Sequence, residues 1–145
     1  MWCSRRFASN LVSSSSDGTP TVRSGRNYTC IAQVAKALRD RGLGTSPMIS
    51  IGGWDAPHPN TTWSGPPWAA ARHKWNREEV AHPALGFDGF DGIDWDLEGY
   101  DDKSSVYNHF TPACMALVGE MSQALKRAGF IVSMVPPQSY LDVTT

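Results

Sequence analysis

The chain has 145 residues, 41% of them hydrophobic and 19% charged, the composition of a folding domain rather than of a disordered segment. Its formal net charge of −1 gives no general attraction to nucleic acid. No apolar run reaches the ~20 residues a membrane helix needs, which leaves no integral membrane protein among the expected classes.

Residues 1–26 are rich in Ser, Gly and Arg, with a Ser13–Ser16 run and the turn signal Asp17-Gly18-Thr19-Pro20. They are expected to form an irregular N-terminal segment, with residues 27–145 as one α/β domain. From Asn27 to Arg41, Ile31, Val34, Ala35 and Leu38 follow the stripe of an amphipathic helix, which Gly42 and Gly44 stop. Pro47–Ile51 reads as a buried strand ending in Gly52-Gly53. A Pro- and Trp-rich loop follows to about Pro67, and then a helix from Trp68 to about Ala81. Residues 90–98 read as a second strand. The helix after it is the clearest in the chain, with Phe110, Cys114, Leu117, Val118, Met121 and Leu125 on one stripe and Gly129 beyond its last turn. Phe130–Met134 is the third strand. Strands alternating with helices predict a parallel sheet.

Three cysteines (Cys3, Cys30, Cys114) without CxxC spacing imply neither a disulfide framework nor a zinc site. His58, His73, His82 and His109 show no ligand spacing and are expected at the surface, so no metal is expected. Asn27-Tyr28-Thr29 and Asn60-Thr61-Thr62 fit the glycosylation acceptor pattern, a short motif of little weight. The start, Met1-Trp2-Cys3-Ser4-Arg5-Arg6-Phe7, lacks the apolar stretch of a signal peptide.

The small net charge hides an uneven distribution. Residues 1–80 carry ten Lys/Arg and five Asp/Glu, whereas residues 81–145 carry three and nine. Seven of the fourteen acidic residues lie between Asp88 and Asp102, so a solvated face, a cation site or a catalytic site must be chosen for them. In Asp91-Gly92-Ile93-Asp94-Trp95-Asp96-Leu97-Glu98-Gly99, alternation puts Asp94, Asp96 and Glu98 on one strand face, about 6.7 Å apart per step. Neighbouring charges at that spacing repel by ~2.5 kcal/mol at an effective dielectric near 20, nearly two pKa units. If the face is enclosed, the three do not all ionise at neutral pH, and a retained proton is what a general acid needs. Glu98 falls at the strand's C-terminal end, where parallel α/β folds place their chemistry. The rival readings are a polar face in water and an EF-hand loop. The latter fails at its twelfth position, which is Ser105 and not Glu.

Asp91-Gly92-Ile93-Asp94-Trp95-Asp96-Leu97-Glu98 resembles the D-G-x-D-x-D-x-E signature of glycoside hydrolase family 18, the chitinases and their relatives. Ser50-Ile51-Gly52-Gly53 is similar to the family's S-x-G-G motif on barrel strand 3, and Ser133-Met134-Val135-Pro136 to the M-A-P segment ending strand 5. The resemblance covers about residues 27–140. It implies a partial (β/α)8 TIM barrel spanning roughly strands 3 to 5. It also implies retaining, substrate-assisted hydrolysis of β-1,4-linked N-acetylglucosamine polymers, without a cofactor. In that scheme Glu98 protonates the glycosidic oxygen, Asp96 orients the substrate's acetamido group, and Asp94 shares a proton with Asp96.

Around these catalytic residues, Trp54 at the C-terminal end of its strand (a sugar platform or a core residue), Gly53 and Met134 in the pocket floor, and Tyr140 in the loop after the third strand are the expected substrate contacts. Asp91, Gly92, Ser50 and Gly52 would be structural parts of the motifs. Chitin or N-acetylglucosamine oligosaccharides are the implied partners, and an extracellular location is implied with them. A non-catalytic chitin-binding lectin and an endo-β-N-acetylglucosaminidase acting on N-glycans are the alternatives; retention of the acid Glu98 speaks against the lectin. A closed barrel takes roughly 250 residues, so the chain is expected to be a fragment whose activity needs further strands.

Overall fold

A computed structural model of the chain describes residues 12–14, 20–22, 26–54, 56, 58–59, 64–99, 102, 104–105 and 109–135. Two short strands, β1 (Val12–Ser14) and β2 (Pro20–Val22), pair antiparallel, with Val12 opposite Val22. They correct the expectation of a wholly irregular residue 1–26 segment. Valine and threonine favour extended backbone on either side of the turn signal, and Pro20 begins its strand, where a missing N–H is tolerated.

The main body is a three-stranded parallel sheet of β3 (Met48–Trp54), β4 (Gly92–Gly99) and β5 (Ile131–Met134), ordered as in the sequence with β4 central. Helix α1 (Thr29–Asp40) precedes it, α2 (Gly65–Trp75) joins β3 to β4, and α3 (Pro112–Arg127) joins β4 to β5. This is a βαβαβ arrangement. Fold class is therefore α/β with a parallel sheet, and no closed barrel is formed by the described residues.

Alternation divides β4 between two environments. Ile93, Trp95 and Leu97 are buried toward the helices, while Asp94, Asp96 and Glu98 are half-buried on the other face. Trp95 is 2% exposed and its indole N–H donates to Ser122 Oγ at 2.9 Å, so the ring packs strand to helix with its one polar atom satisfied. From α3, Cys114, Leu117, Val118, Met121 and Leu125 are buried, the face the periodicity predicts. Thr111 caps this helix by accepting from the Cys114 N–H at 3.1 Å, with Pro112 in the first turn.

Two helices differ from the sequence reading. In α1 the buried residues are Ala32 and Ala35, adjoining Tyr28, while Val34 is 50% exposed. Tyr28 meets Trp75 and Phe90 edge-on, and that aromatic cluster rotates the helix toward its alanines. Helix α2 begins at Gly65, before Pro66 and Pro67, because proline is well placed in a first turn whose N–H groups have no helical acceptor. Its N-terminus lies against α3: Gly65 N–H donates to Glu120 Oε2 at 2.8 Å, and a Cβ on Gly65 would sit 2.2 Å from Met121 N.

After Trp75 the helix widens into a π-helical turn, Asn76–Val80. Buried Asn76 uses both ends of its amide there. Its Nδ2 donates to Phe90 O at 3.0 Å, and its Oδ1 accepts from Phe90 N at 2.8 Å. That pair fixes the chain two residues before β4. Cys30 is disulfide-bonded, contrary to the expectation from cysteine spacing, while Cys114 is free and buried.

Candidate active site

The site is built on β4 and completed by its two neighbours. Ser50 of β3 and Ser133 of β5 both lie in register with Asp94, so all three share the face opposite the helices. Ser50 Oγ donates to Asp94 Oδ2 at 3.4 Å, and Ser133 Oγ makes a short hydrogen bond to Asp94 Oδ1. Asp94 is thereby held at both carboxylate oxygens.

Two residues further along β4 and at its end, Asp96 and Glu98 follow on the same face. The Glu98 carboxyl is raised above its ordinary range, first by burial, then by the hydrogen bond from Asp96 and by the charge of Asp96. The neighbour that raises Glu98 is Asp96, while Asp94 is engaged by two serine hydroxyls.

The paired glycines of β3 shape the floor beside Asp96. Gly52 lies opposite Asp96, and the register slips between Gly52 and Trp54 so that Trp54 faces Gly99. Gly52 and Gly53 have φ of +116° and +100°, a region that side-chain-bearing residues rarely enter. A Cβ on Gly52 would stand 2.0 Å from the backbone oxygen of Asp96, and one on Gly53 would be 4.0 Å from Asp96 Oδ2. The S-x-G-G segment therefore serves the site in two ways: its serine binds Asp94, and its glycines admit β3 to the backbone and carboxylate of Asp96.

Gly92 has a similar role at the strand's other end, where a Cβ would lie 2.4 Å from Ile131 O. Asp91 is remote from the carboxylate face. Its N–H donates to Pro47 O at 2.8 Å and its carbonyl accepts from Ile131 N at 3.0 Å, which ties the starts of three strands together. Burial pushes the Asp91 carboxyl up, opposed by Arg39 and Arg72. Arg72 itself is 3% exposed and donates to Gly92 O at 2.9 Å, with its guanidinium 4.5 Å from the Phe130 ring centre. Burial lowers it to about 10 against the charge of Asp91. These contacts place Asp91 where the strands begin, away from the carboxylate face.

Trp54 stands at the C-terminal end of β3 and is 49% exposed. Met134 is not brought to the carboxylates. It lies in register with Trp95, on the opposite parity, and Ser133 occupies the position beside Asp94. The motif fixes where the segment lies but not which of its residues faces the site; counting parity from Asp94 through the parallel register would have singled out Ser133. Tyr140 lies outside the described residues.

Loops at the same end of the sheet contain a second feature that the sequence reading missed. His58, expected at the surface, is buried; its ring stacks on Phe110 at 4.4 Å, with Nδ1 3.3 Å from His109 O. It links the segment after β3 to the segment before α3. His82 is half-buried too, with Nε2 2.8 Å from Thr29 Oγ1.

A cavity of about 820 Å³ lies at the other end of the sheet, lined by Ser46, His73, Asn76, Asp88, Asp91 and Phe130 among others. These residues precede the strands. Parallel α/β folds place their chemistry at the C-terminal ends of strands, so the carboxylates and not this cavity are the candidate site. No grouping of His, Cys, Asp and Glu suited to a metal ion occurs among the described residues, and no described helix is long and apolar enough to cross a membrane. Comparison with protein-family models, curated proteins and solved structures found no match for this chain.

Proposed function

We propose that the chain carries the catalytic strand of a glycoside hydrolase that cleaves β-1,4-linked N-acetylglucosamine polymers with retention of configuration. The observation that carries this reading is the placement of Asp94, Asp96 and Glu98 on one face of the central parallel strand, Glu98 at its C-terminal end with its carboxyl raised by burial and by Asp96. A carboxyl raised in this direction holds its proton more tightly and is suited to deliver it to a leaving oxygen. Asp94, Ser50 and the Gly52-Gly53 bulge supply the rigid surroundings such a group needs.

Glu98 donates its proton to the glycosidic oxygen as the C1–O bond breaks, and the acetamido carbonyl oxygen of the same sugar attacks C1. Asp96 holds the acetamido N–H and offsets the positive charge of the oxazolinium ring so formed. Water then opens the ring at C1, giving its proton to the Glu98 carboxylate. Trp54, half-exposed at the strand end, is proposed as a stacking surface for a sugar ring. The disulfide at Cys30 suits an oxidising compartment and supports an extracellular location. The partial (β/α)8 barrel is part of the same proposal. Three parallel strands do not enclose a substrate, so turnover is proposed to need the remaining strands.

The test compares wild type with Glu98→Gln in a protein carrying the rest of the barrel, using N-acetylglucosamine oligomers. Oligomer release is expected to fall about a hundredfold or more with binding retained, the scale of a lost general acid. Glucose oligomers, which lack the acetamido group, are expected to resist cleavage. Undiminished hydrolysis by the glutamine variant overturns the assignment. Robust turnover by the purified 145-residue monomer overturns the need for closure.

A further inference from the structure

We propose that Asn27 is an N-glycosylation site, and that the sugar is attached before Tyr28 is buried. Asn27-Tyr28-Thr29 has the acceptor pattern, with tyrosine and not proline in the middle. Three structural observations give this short motif weight. Asn27 is exposed, so a bulky group there meets water and not the core. Its Oδ1 accepts from the Thr29 N–H at 2.8 Å, and a backbone N–H requires the oxygen at that place. The amide nitrogen, to which a sugar is joined, is the end this turn does not use, and a glycosylated amide keeps its carbonyl oxygen and hence the turn. Cys30, in the first turn of α1, is disulfide-bonded, which suits an oxidising compartment of the kind in which such acceptors are modified.

The folded chain conceals the rest of the motif. Tyr28 is 1% exposed, edge-on to Trp75 and Phe90 at ring distances of 5.7 and 6.0 Å. His82 Nδ1 lies 2.8 Å from Ala81 O and 3.1 Å from Val80 O; carbonyls only accept, so that nitrogen carries the proton. Nε2 then accepts from the Thr29 hydroxyl at 2.8 Å. His82 lies 53 residues further along the chain than Thr29, about 3–10 s of synthesis, and for that interval the motif has not met its folded partners. Phe90 precedes β4, so the acceptor stands by the start of the strand, about 20 Å along it from Glu98, and a glycan leaves the carboxylate end open. The donor is an oligosaccharide linked through its first sugar to a lipid diphosphate. Asn27 Nδ2 attacks C1 of that sugar, the C1–O bond to the diphosphate breaks, and the lipid diphosphate leaves with the bonding pair. One Nδ2 proton passes to a base of the transferring enzyme, and nothing is oxidised or reduced.

This inference goes beyond the hydrolase reading, and its test involves no hydrolysis, so the two fail separately. The 145-residue chain is secreted from eukaryotic cells behind a cleavable signal sequence and treated with peptide-N-glycosidase. Mass spectrometry is expected to find aspartate at position 27, the product of glycan removal. This reading is made on the unaltered chain, so it stands even where a variant is not secreted. Asn60-Thr61-Thr62 is a second acceptor, outside the described residues, so gel mobility is compared in an Asn60→Gln background. The enzyme is expected to shift that band by one step, Asn27→Gln and Thr29→Val to abolish the shift, and Thr29→Ser to retain it. For the timing, unmodified chain from a bacterial host is given to solubilised transferase and lipid-linked donor, either folded with its disulfide or reduced and unfolded. Modification at Asn27 is expected in the unfolded chain and lost in the folded one. Unmodified asparagine at position 27 of the secreted chain overturns the site, and equal modification of folded and unfolded chain overturns the timing.

Discussion

Gly52 is the residue on which the site geometry turns most sharply. With φ at +116° and the Asp96 carbonyl where its Cβ would stand, even one methyl must displace the backbone of β4. Gly52→Ala is expected to cost about 3 kcal/mol or more, since clash and backbone strain act together. Gly119→Ala is the control: that glycine is exposed within α3 and a Cβ there meets nothing within 4 Å. It is expected to stabilise by about 0.5–1 kcal/mol through helix propensity alone. Urea denaturation of the two variants against wild type checks both signs. At this scale the sequence is informative about residue identity and less so about partners. The spacing of Asp94, Asp96 and Glu98 places them on one face, but the partners that hold Asp94 are Ser50 and Ser133, which arrive from strands 44 and 39 residues away.

Among the elements, the π-helical turn after α2 has the most specific function. Asn76 replaces the sheet hydrogen bonds that Phe90 would otherwise lack, just before β4 begins. Asn76→Ala leaves a buried N–H and a buried carbonyl without this amide, and is expected to destabilise by about 2–4 kcal/mol. Amide exchange should report the loss as faster exchange at Phe90 and at the start of β4 before the rest of the sheet. The stripe of α3 was legible because its apolar residues repeat at helical spacing with a capping threonine and a terminal glycine. The start of α2 was not, since Pro66 and Pro67 punctuate a loop as readily as they open a helix. The hairpin of β1 and β2 was illegible for a different reason: strands of three residues are too short to show alternation.

For the whole molecule, the sequence predicts the order of strands and helices and the end of the sheet at which the acidic residues gather. It does not predict how open that face is. Asp94, Asp96 and Glu98 are half-buried rather than enclosed, so water moderates the mutual repulsion that a closed site would impose. The folded chain still holds the Glu98 proton more tightly than an unfolded chain does. The stabilisation this brings is complete below the ordinary glutamate range and is lost as pH rises through the raised midpoint. Thermal midpoints measured across that interval are expected to fall with rising pH. Glu98→Gln should flatten the decline, leaving the share of Asp91, which shifts in the same direction. A decline unchanged in the glutamine variant would assign it to other groups.

The central position of β4 has a kinetic consequence. Its partners are distant in the chain: Ile93 pairs with Ile49, 44 residues earlier, and with Val132, 39 residues later. Each ladder closes a long loop before it gains a single strand contact, and topologies of that kind fold slowly compared with helical bundles. Helices α1 and α3, stabilised by local contacts, can form while β4 is still unpaired. The strand that carries the carboxylates is thus expected among the last to be locked. Until it is, its alternating Ile93, Trp95 and Leu97 present an apolar edge to any neighbouring chain, so the segment most concerned with chemistry is also the one through which misassembly during folding would begin.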